Sequence, residues 1–256
     1  MYTNNNNQRC PYCLRTSLRL KGWSRNKKRR LKCKDCKKHI TQGGKSWFIS
    51  LSQIELIDKM LIERIALRAI CRVVDVSLSW VLQHIKSLYA EQPENLNYRM
   101  PSKIKIDLQL IDSELDEIWS FVQKKTNKQW IWIAQCRNTR QVIAFHIGSR
   151  GRVDAKILWA KLPDEIKKRG FFYSDDWDAY KGVFPKERHF SSKQKKETNH
   201  LERLNNTIRQ SVSRLVRKTL SFSKTLENHI GAIKYFFCHY NLEQQEKWDK
   251  YKSAHL

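Results

Sequence analysis

The chain has 256 residues, which is enough for one domain of medium size and one or two small modules. Its 50 Lys and Arg residues outnumber its 25 Asp and Glu residues, and the net charge of +25 predicts a polyanionic partner such as nucleic acid. The first residues are polar and no apolar run approaches about 18 residues. We therefore expect no secretory signal, no membrane contact and a cytoplasmic, nucleoid-associated protein.

Four cysteines near the start predict a metal site. Cys10 and Cys13 form one CxxC pair, Cys33 and Cys36 form a second, and 19 residues separate the pairs. Two such turns can close a tetrahedral sulfur site, so we predict a structural zinc ribbon over residues 1–46, with folding energy supplied by Zn²⁺. A redox CxxC is the alternative, although it needs only one pair. The other three cysteines are predicted to be small core residues: Cys71, Cys136 and Cys238.

The segment around these cysteines is strongly basic. From Arg9 to Lys45 it carries 14 Lys or Arg residues and one acid, which is typical of a nucleic-acid contact surface. A solvated tail is the alternative. Arg29 and Arg30 lie between the two cysteine pairs, and we predict that they contact DNA.

Residues 47–92 show a helical pattern. Ile54, Ile57, Leu61 and Ile65 recur at spacings of three and four, which indicates one buried helix stripe. The following stretch, ALRAICRVVDVSLSWVLQHIKSL, indicates two helices separated by a tight break at residues 75–76. This pattern predicts an all-α helix-turn-helix module, with a helical hairpin in a bundle as the alternative.

The second of these helices is predicted to enter a DNA groove. Its buried stripe is expected to contain Val81, Leu82, Ile85 and Leu88. The opposite face offers short or polar groups suited to base contacts, namely Ser79, Gln83 and Lys86, with Trp80 or His84 as a further candidate. Residues 93–104, which include two prolines, are predicted to be a linker.

Residues 105–245 alternate between strand-like and helical patterns, and residues 246–256 are predicted to be a C-terminal tail. The strand candidates are IKIDLQLI, LDEIWSFVQ, WIWIAQC, VIAFHIG, FFYSD and RHFS, and the helical candidates are VDAKILWAKLPDEI, WDAYKGVF and the region from Thr198. Meandering strands followed by a crossover helix predict an α/β fold, a mixed sheet with flanking helices in the ribonuclease-H-like order. Four aromatic residues are then expected to pack in the sheet and core rather than to stack on bases: Trp119, Trp130, Trp132 and Phe145.

Three carboxylates carry the strongest functional signal. Asp116 and Asp175 lie in apolar strand-like runs, where acids are disfavoured unless they hold a ligand, and Glu202 opens a helical stretch. Arg209 follows Glu202 by two turns on the same helical face, where it could meet a phosphate. We interpret these residues as the site of a metal-dependent enzyme that acts on nucleic-acid phosphodiesters.

Each acid has a structural alternative. Asp116 could lie at a strand end, Asp175 could cap the following helix, and Asn199 with Glu202 resembles a helix capping box. Two neighbouring acids could also replace Asp175 if the strand ends later: Asp176 and Asp178.

Residues 116–240 resemble the catalytic region of the insertion-sequence-one family of bacterial DDE transposases. The resemblance is carried by LDEIWSFV, YSDDWDAY and TNHLERLNNTIRQSVSRLVRKTLSFSKTLENH, and the cysteine pairs followed by a helix-turn-helix pattern fit the family's domain order. It implies that Asp116, Asp175 and Glu202 form the catalytic acidic triad and that Arg209 is the basic residue after it. The 26 residues between Asp175 and Glu202 slightly exceed the spacing that is usual in the family.

The resemblance implies a prokaryotic DNA transposase that binds the terminal inverted repeats of an insertion sequence. Such an enzyme cleaves the ends and transfers the 3′-hydroxyl strands to target DNA with two Mg²⁺ or Mn²⁺ ions per site, bridged by Asp116. His200 and Asn205 are candidates for additional contacts. A metal-dependent nuclease and a non-enzymatic DNA-binding regulator are the alternatives.

Two further expectations concern partners. Residues 186–218 contain ten basic and three acidic residues, and three of the basic ones are predicted to contact double-stranded DNA: Arg214, Arg217 and Lys218. Joining two ends of one element predicts at least a homodimer on DNA. A surplus of apolar residues in the last helix indicates either a core helix or that interface: Ile230, Ile233, Phe236, Phe237 and Tyr240.

Overall fold

The computed structural model describes residues 10, 13, 15–25, 27–41, 49–101, 112–192, 199–215 and 223–255. The chain forms two compact units, and each is described separately: Met1–Lys59 with Arg68–Ser77, and Met60–Leu67 with Leu78–Leu256. Within the described ranges, no helix has the length and apolar character needed to cross a membrane.

The first unit contains a three-stranded antiparallel sheet in the order β1-β2-β3. Its strands are β1 (Leu18–Trp23), β2 (Arg29–Cys33) and β3 (His39–Thr41). The register of β1 against β2 shifts between Leu20 and Trp23. Gly22 lies at this shift with φ of +101°, a conformation that glycine adopts without steric cost. Most side chains of the three strands are exposed, so the sheet buries little apolar surface of its own.

Two helices complete this unit: α1 (Leu51–Ile62), whose residues up to Lys59 belong to it, and α2 (Leu67–Val74). Ser50 and Gln53 form a capping box at the start of α1. The backbone amide of Gln53 donates to Ser50 Oγ at 3.2 Å, and the amide of Ser50 donates to Gln53 Oε1 at 2.9 Å. Asp75 follows α2 with φ of +56°, so the helix ends at the predicted break.

The second unit contains a five-stranded sheet in the order β6-β5-β4-β7-β8. The strands are β4 (Ser113–Phe121), β5 (Lys128–Cys136), β6 (Val142–Gly148), β7 (Phe172–Ser174) and β8 (His189–Ser191). The helices are α3 (Leu78–Ala90), α4 (Arg152–Lys161), α5 (Asp164–Arg169), α6 (Asn199–Ser211) and α7 (Leu226–His255). Strand β5 is antiparallel to β4 and β6, whereas β7 is parallel to β4 and β8. This arrangement confirms the predicted α/β class, a mixed sheet with helices.

Some element boundaries differ from those predicted. The stretch VDAKILWAKLPDEI forms two helices, because Leu162 is extended before Pro163 and proline cannot donate to a helix interior. Within WDAYKGVF only Asp178–Tyr180 is helical, as a 3-10 turn. Helix α7 continues to His255, so residues 246–255, predicted to be a tail, are helical. The predicted strand IKIDLQLI lies outside the described residues.

The alternation of side chains along β4 places two cores on opposite faces of the sheet. Ile118 packs with Leu204 of α6 in one core, and Leu115 packs with Leu158 of α4 in the other. Even-numbered residues of β4 therefore face α6 and α7, while odd-numbered residues face α4. Both faces of β4 are covered, so four of its polar residues are buried together with its apolar ones: Ser113, Glu114, Glu117 and Ser120.

The predicted core residues are mostly buried. Trp132 and Phe145 are in the core and Trp130 packs against it, whereas Trp119 is 37% exposed, contrary to expectation. The apolar surplus of α7 lies in the core of its own unit, as three buried residues and two that pack against them: Ile233, Phe236, Phe237, Ile230 and Tyr240. Core packing therefore accounts for the surplus.

Helix α3 agrees only in part with the predicted recognition helix. Val81 and Ile85 are buried as expected, but Leu82 is 45% exposed. Trp80 is half-buried and stacks on His84 with 5.0 Å between ring centroids. The other predicted DNA-contact positions are exposed: Ser79, Gln83 and Lys86.

Candidate active site and zinc site

The four ribbon cysteines converge on one point. The Sγ atoms of Cys10 and Cys36 are 3.5 Å apart, those of Cys13 and Cys33 are also 3.5 Å apart, and all four lie within 4.8 Å of one another. Tetrahedral zinc with Zn–S bonds of about 2.3 Å requires sulfur separations of just under 4 Å. The donor set therefore fits Zn²⁺. In the described part of the chain, this quartet is the only group of three or more potential metal ligands that is so compact.

Asp116 lies near the middle of β4 on the face that carries α6. Its Oδ1 accepts a hydrogen bond from the backbone amide of Glu117 at 2.8 Å, and its Oδ2 accepts one from Asn205 Nδ2 at 2.7 Å. The pKa of Asp116 is raised to about 6, chiefly by burial and also by the charges of Glu117 and Asp175, and the two hydrogen bonds offset this rise only in part. The carboxylate is thus a partly buried anion with other anions nearby.

Asp175 directly follows β7, the parallel neighbour of β4. The register pairs Glu114 with Tyr173 and Leu115 with Ser174, and its next step places Asp175 beside Asp116 on the same face of the sheet. The effect of Asp175 on the pKa of Asp116 is consistent with this placement. The backbone amide of Trp177 donates to Asp175 Oδ1 at 3.2 Å.

Asp176 and Asp178, the two alternatives to Asp175, both lie next to a lysine. Lys181 Nζ lies 3.3 Å from Asp176 Oδ1 and 2.7 Å from Asp178 Oδ1. Asp178 is exposed, and its hydrogen bond from Lys181 lowers its pKa. Both carboxylates are therefore already compensated by a cation, whereas Asp175 forms no ion pair with any residue that the structure describes.

Helix α6 brings the third acid to the same face. Glu202 is exposed in its first turn, one turn before Asn205, which contacts Asp116. Arg209 is half-buried and two turns after Glu202. The carboxylates of Asp116, Asp175 and Glu202 do not form a group as compact as the cysteine quartet.

Glu114, a residue that sequence reasoning missed, fixes the start of α6 against β4. Its carboxylate is fully buried and accepts hydrogen bonds from the backbone amides of His200 at 3.1 Å and Leu201 at 3.0 Å. It also lies 2.5 Å from His200 Nδ1 and 3.3 Å from Arg137 Nε. Glu114 therefore serves as the acceptor for this helix end, beside its positive dipole. The sequence signal that could have revealed Glu114 is an acid in the same predicted strand region, two positions before Asp116.

We expect Glu114→Ala to lower the free energy of unfolding by about 3 kcal/mol or more, because it leaves Arg137 and two helix amides without this buried acceptor. Urea unfolding of the full chain measures the loss. Glu165→Ala is the matched control, since Glu165 is exposed in α5 and its removal should change stability by no more than about 0.5 kcal/mol. Equal losses in the two variants would contradict this role of Glu114.

The opposite face of β4 holds a second buried acid that the sequence did not reveal. Glu117 accepts hydrogen bonds from Arg150 Nε at 2.7 Å and from the Tyr180 hydroxyl at 2.8 Å. The guanidinium of Arg150 lies between two indole rings, 4.5 Å from the centroid of Trp130 and 4.0 Å from that of Trp177. This cluster holds the segment after Asp175 against the sheet.

The predicted DNA-contact residues outside α3 differ in their exposure to solvent. Arg29 and Arg30 are exposed on β2, and Arg29 lies over the ring of Trp23 at 5.6 Å. Arg214 is half-buried and lines a cavity of about 430 Å³ with Tyr89. Two predicted contacts lie outside the described residues: Arg217 and Lys218.

Comparison with known proteins identifies the class. The family described as IS1 transposase matches residues 109–242, more than half of the chain. Insertion element iso-IS1n protein InsB of Shigella dysenteriae is 40% identical over 121 residues, which cover 47% of this chain and 88% of that protein. Insertion element IS1 protein InsB of Shigella flexneri is 32% identical over 127 residues, which cover 50% and 94%. The chain belongs to the IS1 transposase family.

Two solved structures are distantly similar. A simian T-cell lymphotropic virus intasome in complex with PP2A regulatory subunit B56 gamma gives a TM-score of 0.38 at 12% identity, covering 70% of this chain and 66% of that one. A pre-cleavage Mos1 transpososome gives a TM-score of 0.26 at 11% identity, covering 77% of each chain. Similarity at this level carries no conclusion about chemistry.

Proposed function

We propose that the chain is the transposase of an insertion sequence, with a ribonuclease-H-like catalytic domain that cleaves the element's ends and joins them to target DNA. One observation carries the proposal: in a member of the IS1 transposase family, Asp175 directly follows β7, the parallel neighbour of the strand that carries Asp116, and Asn205 ties α6 to Asp116. Paired carboxylates of this kind suit phosphoryl transfer because they can hold divalent cations at the reacting phosphate.

The residues of this site fit Mg²⁺ or Mn²⁺. All three acids offer hard oxygen ligands, and the raised pKa of Asp116 reflects burial beside other anions, a state that a cation would relieve. Asp116 and Asp175 would hold one ion, and Asp116 and Glu202 a second. When bound, such ions lower the pKa of a nucleophilic oxygen and stabilise the charge of the leaving oxygen.

The remaining groups position the substrate and the ligands. Glu114 fixes the start of α6, and with it the position of Glu202 relative to Asp116. Arg209, farther along the same face of α6, would contact a phosphate near the scissile bond. Arg150, bound to Glu117, keeps Trp177 next to Asp175 and stabilises the loop that carries this acid.

DNA recognition is assigned to the first 92 residues, together with the basic segment over residues 186–218. The exposed arginines of β2 and the exposed polar residues of α3 would contact the terminal inverted repeats. The charge of +25 would add salt-dependent phosphate binding of any sequence. Since two ends must be joined, at least two chains would assemble on DNA.

A metal-dependent nuclease on the same fold is the second candidate, because the same carboxylates could direct hydrolysis alone. The two functions differ in their nucleophile. A duplex that carries a precut, labelled end of the encoding element is incubated with the full chain, Mg²⁺ and a target plasmid. A transposase is expected to join the label to the plasmid, and the same end with a 3′-dideoxy terminus is expected to give no joined product. Hydrolysis of the DNA without joining would identify a nuclease instead.

A further inference from the structure

The side-chain amide of Asn205 contacts the candidate site through its nitrogen, whereas its oxygen has no partner among the described residues. Its Nδ2 donates to Asp116 Oδ2 at 2.7 Å, whereas its Oδ1 is shielded from solvent and accepts no hydrogen bond from the described residues. A buried acceptor without a donor costs about 1–3 kcal/mol, so it calls for a partner that the folded chain alone does not supply.

The orientation of this amide is fixed by its neighbour. Turning the amide by 180° would place its oxygen against Asp116 Oδ2, so that two acceptors would face each other. With Nδ2 on Asp116, the carboxamide oxygen lies beside the same carboxylate and one helical turn after Glu202. The unpartnered oxygen therefore belongs to a side chain that contacts Asp116 and lies one helical turn after Glu202, the two acids that are assigned to a shared metal ion.

We propose that Asn205 Oδ1 is a fourth protein oxygen ligand of the divalent site, in addition to Asp116, Asp175 and Glu202. The inference rests on the proposed function, because it assigns a role within the same metal site. A neutral carbonyl oxygen is an ordinary ligand for hard cations, and the cation supplies the partner that Oδ1 lacks. Donation from Nδ2 to Asp116 orients both ligand oxygens before the metal arrives.

The test measures metal affinity rather than catalysis. The zinc-loaded full chain is titrated with Mn²⁺ in the absence of DNA, and electron paramagnetic resonance of the unbound ion gives the dissociation constant. Asn205→Ala is expected to weaken Mn²⁺ binding by about tenfold or more. Asn206→Ala is the matched control, since Asn206 is exposed on the next position of α6 and should leave the affinity unchanged.

A third variant separates a ligand from a hydrogen-bond donor. Asn205→Asp keeps an oxygen at the Oδ1 position but loses the donor to Asp116, so a ligand role predicts that it binds Mn²⁺ at least as tightly as the native chain. Thermal unfolding establishes that all variants remain folded. The inference is overturned if Asn205→Ala binds as tightly as the native chain, or if Asn205→Asp binds as weakly as Asn205→Ala.

Different results of the same titration would disprove the proposed function itself. If the native chain binds no Mn²⁺, or if Asp116→Asn binds it as tightly as the native chain, the acids do not form a metal site, and both proposals fall. If Asp116→Asn alone loses binding while Asn205→Ala does not, only the role of Asn205 is wrong.

Discussion

Asp116→Asn is expected to lower the rates of end cleavage and strand transfer by at least about a thousandfold, while binding to end DNA persists. Metal ions at a reacting phosphate contribute several kcal/mol of transition-state stabilisation, and about 4 kcal/mol corresponds to a thousandfold in rate. Asp175→Asn and Glu202→Gln should have effects of the same order. Cleavage of labelled ends and a gel-shift assay on the same preparations measure both properties.

The control for this series is Asp178→Asn, because Asp178 is exposed and ion-paired with Lys181 on the surface. This variant should cleave and join ends at nearly the native rate. The assignment of the second acid would be wrong if Asp178→Asn lost activity while Asp175→Asn retained it.

Although Asp116→Asn should abolish most of the activity, it should stabilise the folded chain at neutral pH. In the folded chain the pKa of Asp116 is about 6, which is higher than its usual value of 3.8. The protonated carboxyl therefore favours folding below about pH 4, and this contribution to the free energy of unfolding is lost as the pH rises to 6. Above pH 6, without added Mg²⁺, Asp116→Asn should therefore be more stable than the native chain, by up to about 3 kcal/mol. Urea unfolding at pH 5 and pH 8 tests the sign, since the difference should be larger at pH 8.

Cys33→Ser is expected to unfold the ribbon and to abolish sequence-specific end binding. The sheet of the first unit exposes most of its side chains, so a zinc ion on the cysteine quartet would supply much of its folding energy, which is about 10–16 kcal/mol in comparable small sites. Binding that depends only on phosphate charge should survive, with a steep dependence on salt. Competition gel shifts with end and unrelated duplexes, together with zinc analysis of the purified chain, measure the loss.

Cys71→Ser provides the matched control. Cys71 lies in α2, outside the cysteine quartet, so its loss should leave the zinc content and the preference for end DNA unchanged. A native chain that purified without zinc and still preferred end DNA would contradict the role of the ribbon.

The elements that could be predicted from sequence are those with a strong local signal. Strands β4, β5 and β6 follow from runs of β-branched and aromatic residues, and the break at Asp75 follows from two helical patterns that cannot be joined. The cysteine quartet was predictable because two CxxC turns have few other uses. The division of α4 from α5 was missed although Pro163 marks it, because the apolar spacing continues across the proline.

The parts of the site that were missed depend on contacts between distant segments. Asp116 was singled out in the stretch LDEIWSFV, yet Glu114 and Glu117 on either side of it are buried more deeply than Asp116. Their partners are Leu201 on α6 and Arg150 after β6, and no local pattern in the sequence pairs these residues. Buried acids in a strand that is covered on both faces therefore need a partner each, and only the packing of the sheet reveals that Glu114 and Glu117 find theirs within the fold.

The most direct measurement of the central claim is the crystal structure of the full chain bound to an end duplex with Mn²⁺, located by its anomalous scattering. We expect two Mn²⁺ peaks that share Asp116, one also bound to Asp175 and the other to Glu202, at about 2 Å from the carboxylate oxygens. The same buffer must support end cleavage in solution. An active complex whose map places no Mn²⁺ in contact with Asp116 would contradict the proposed mechanism.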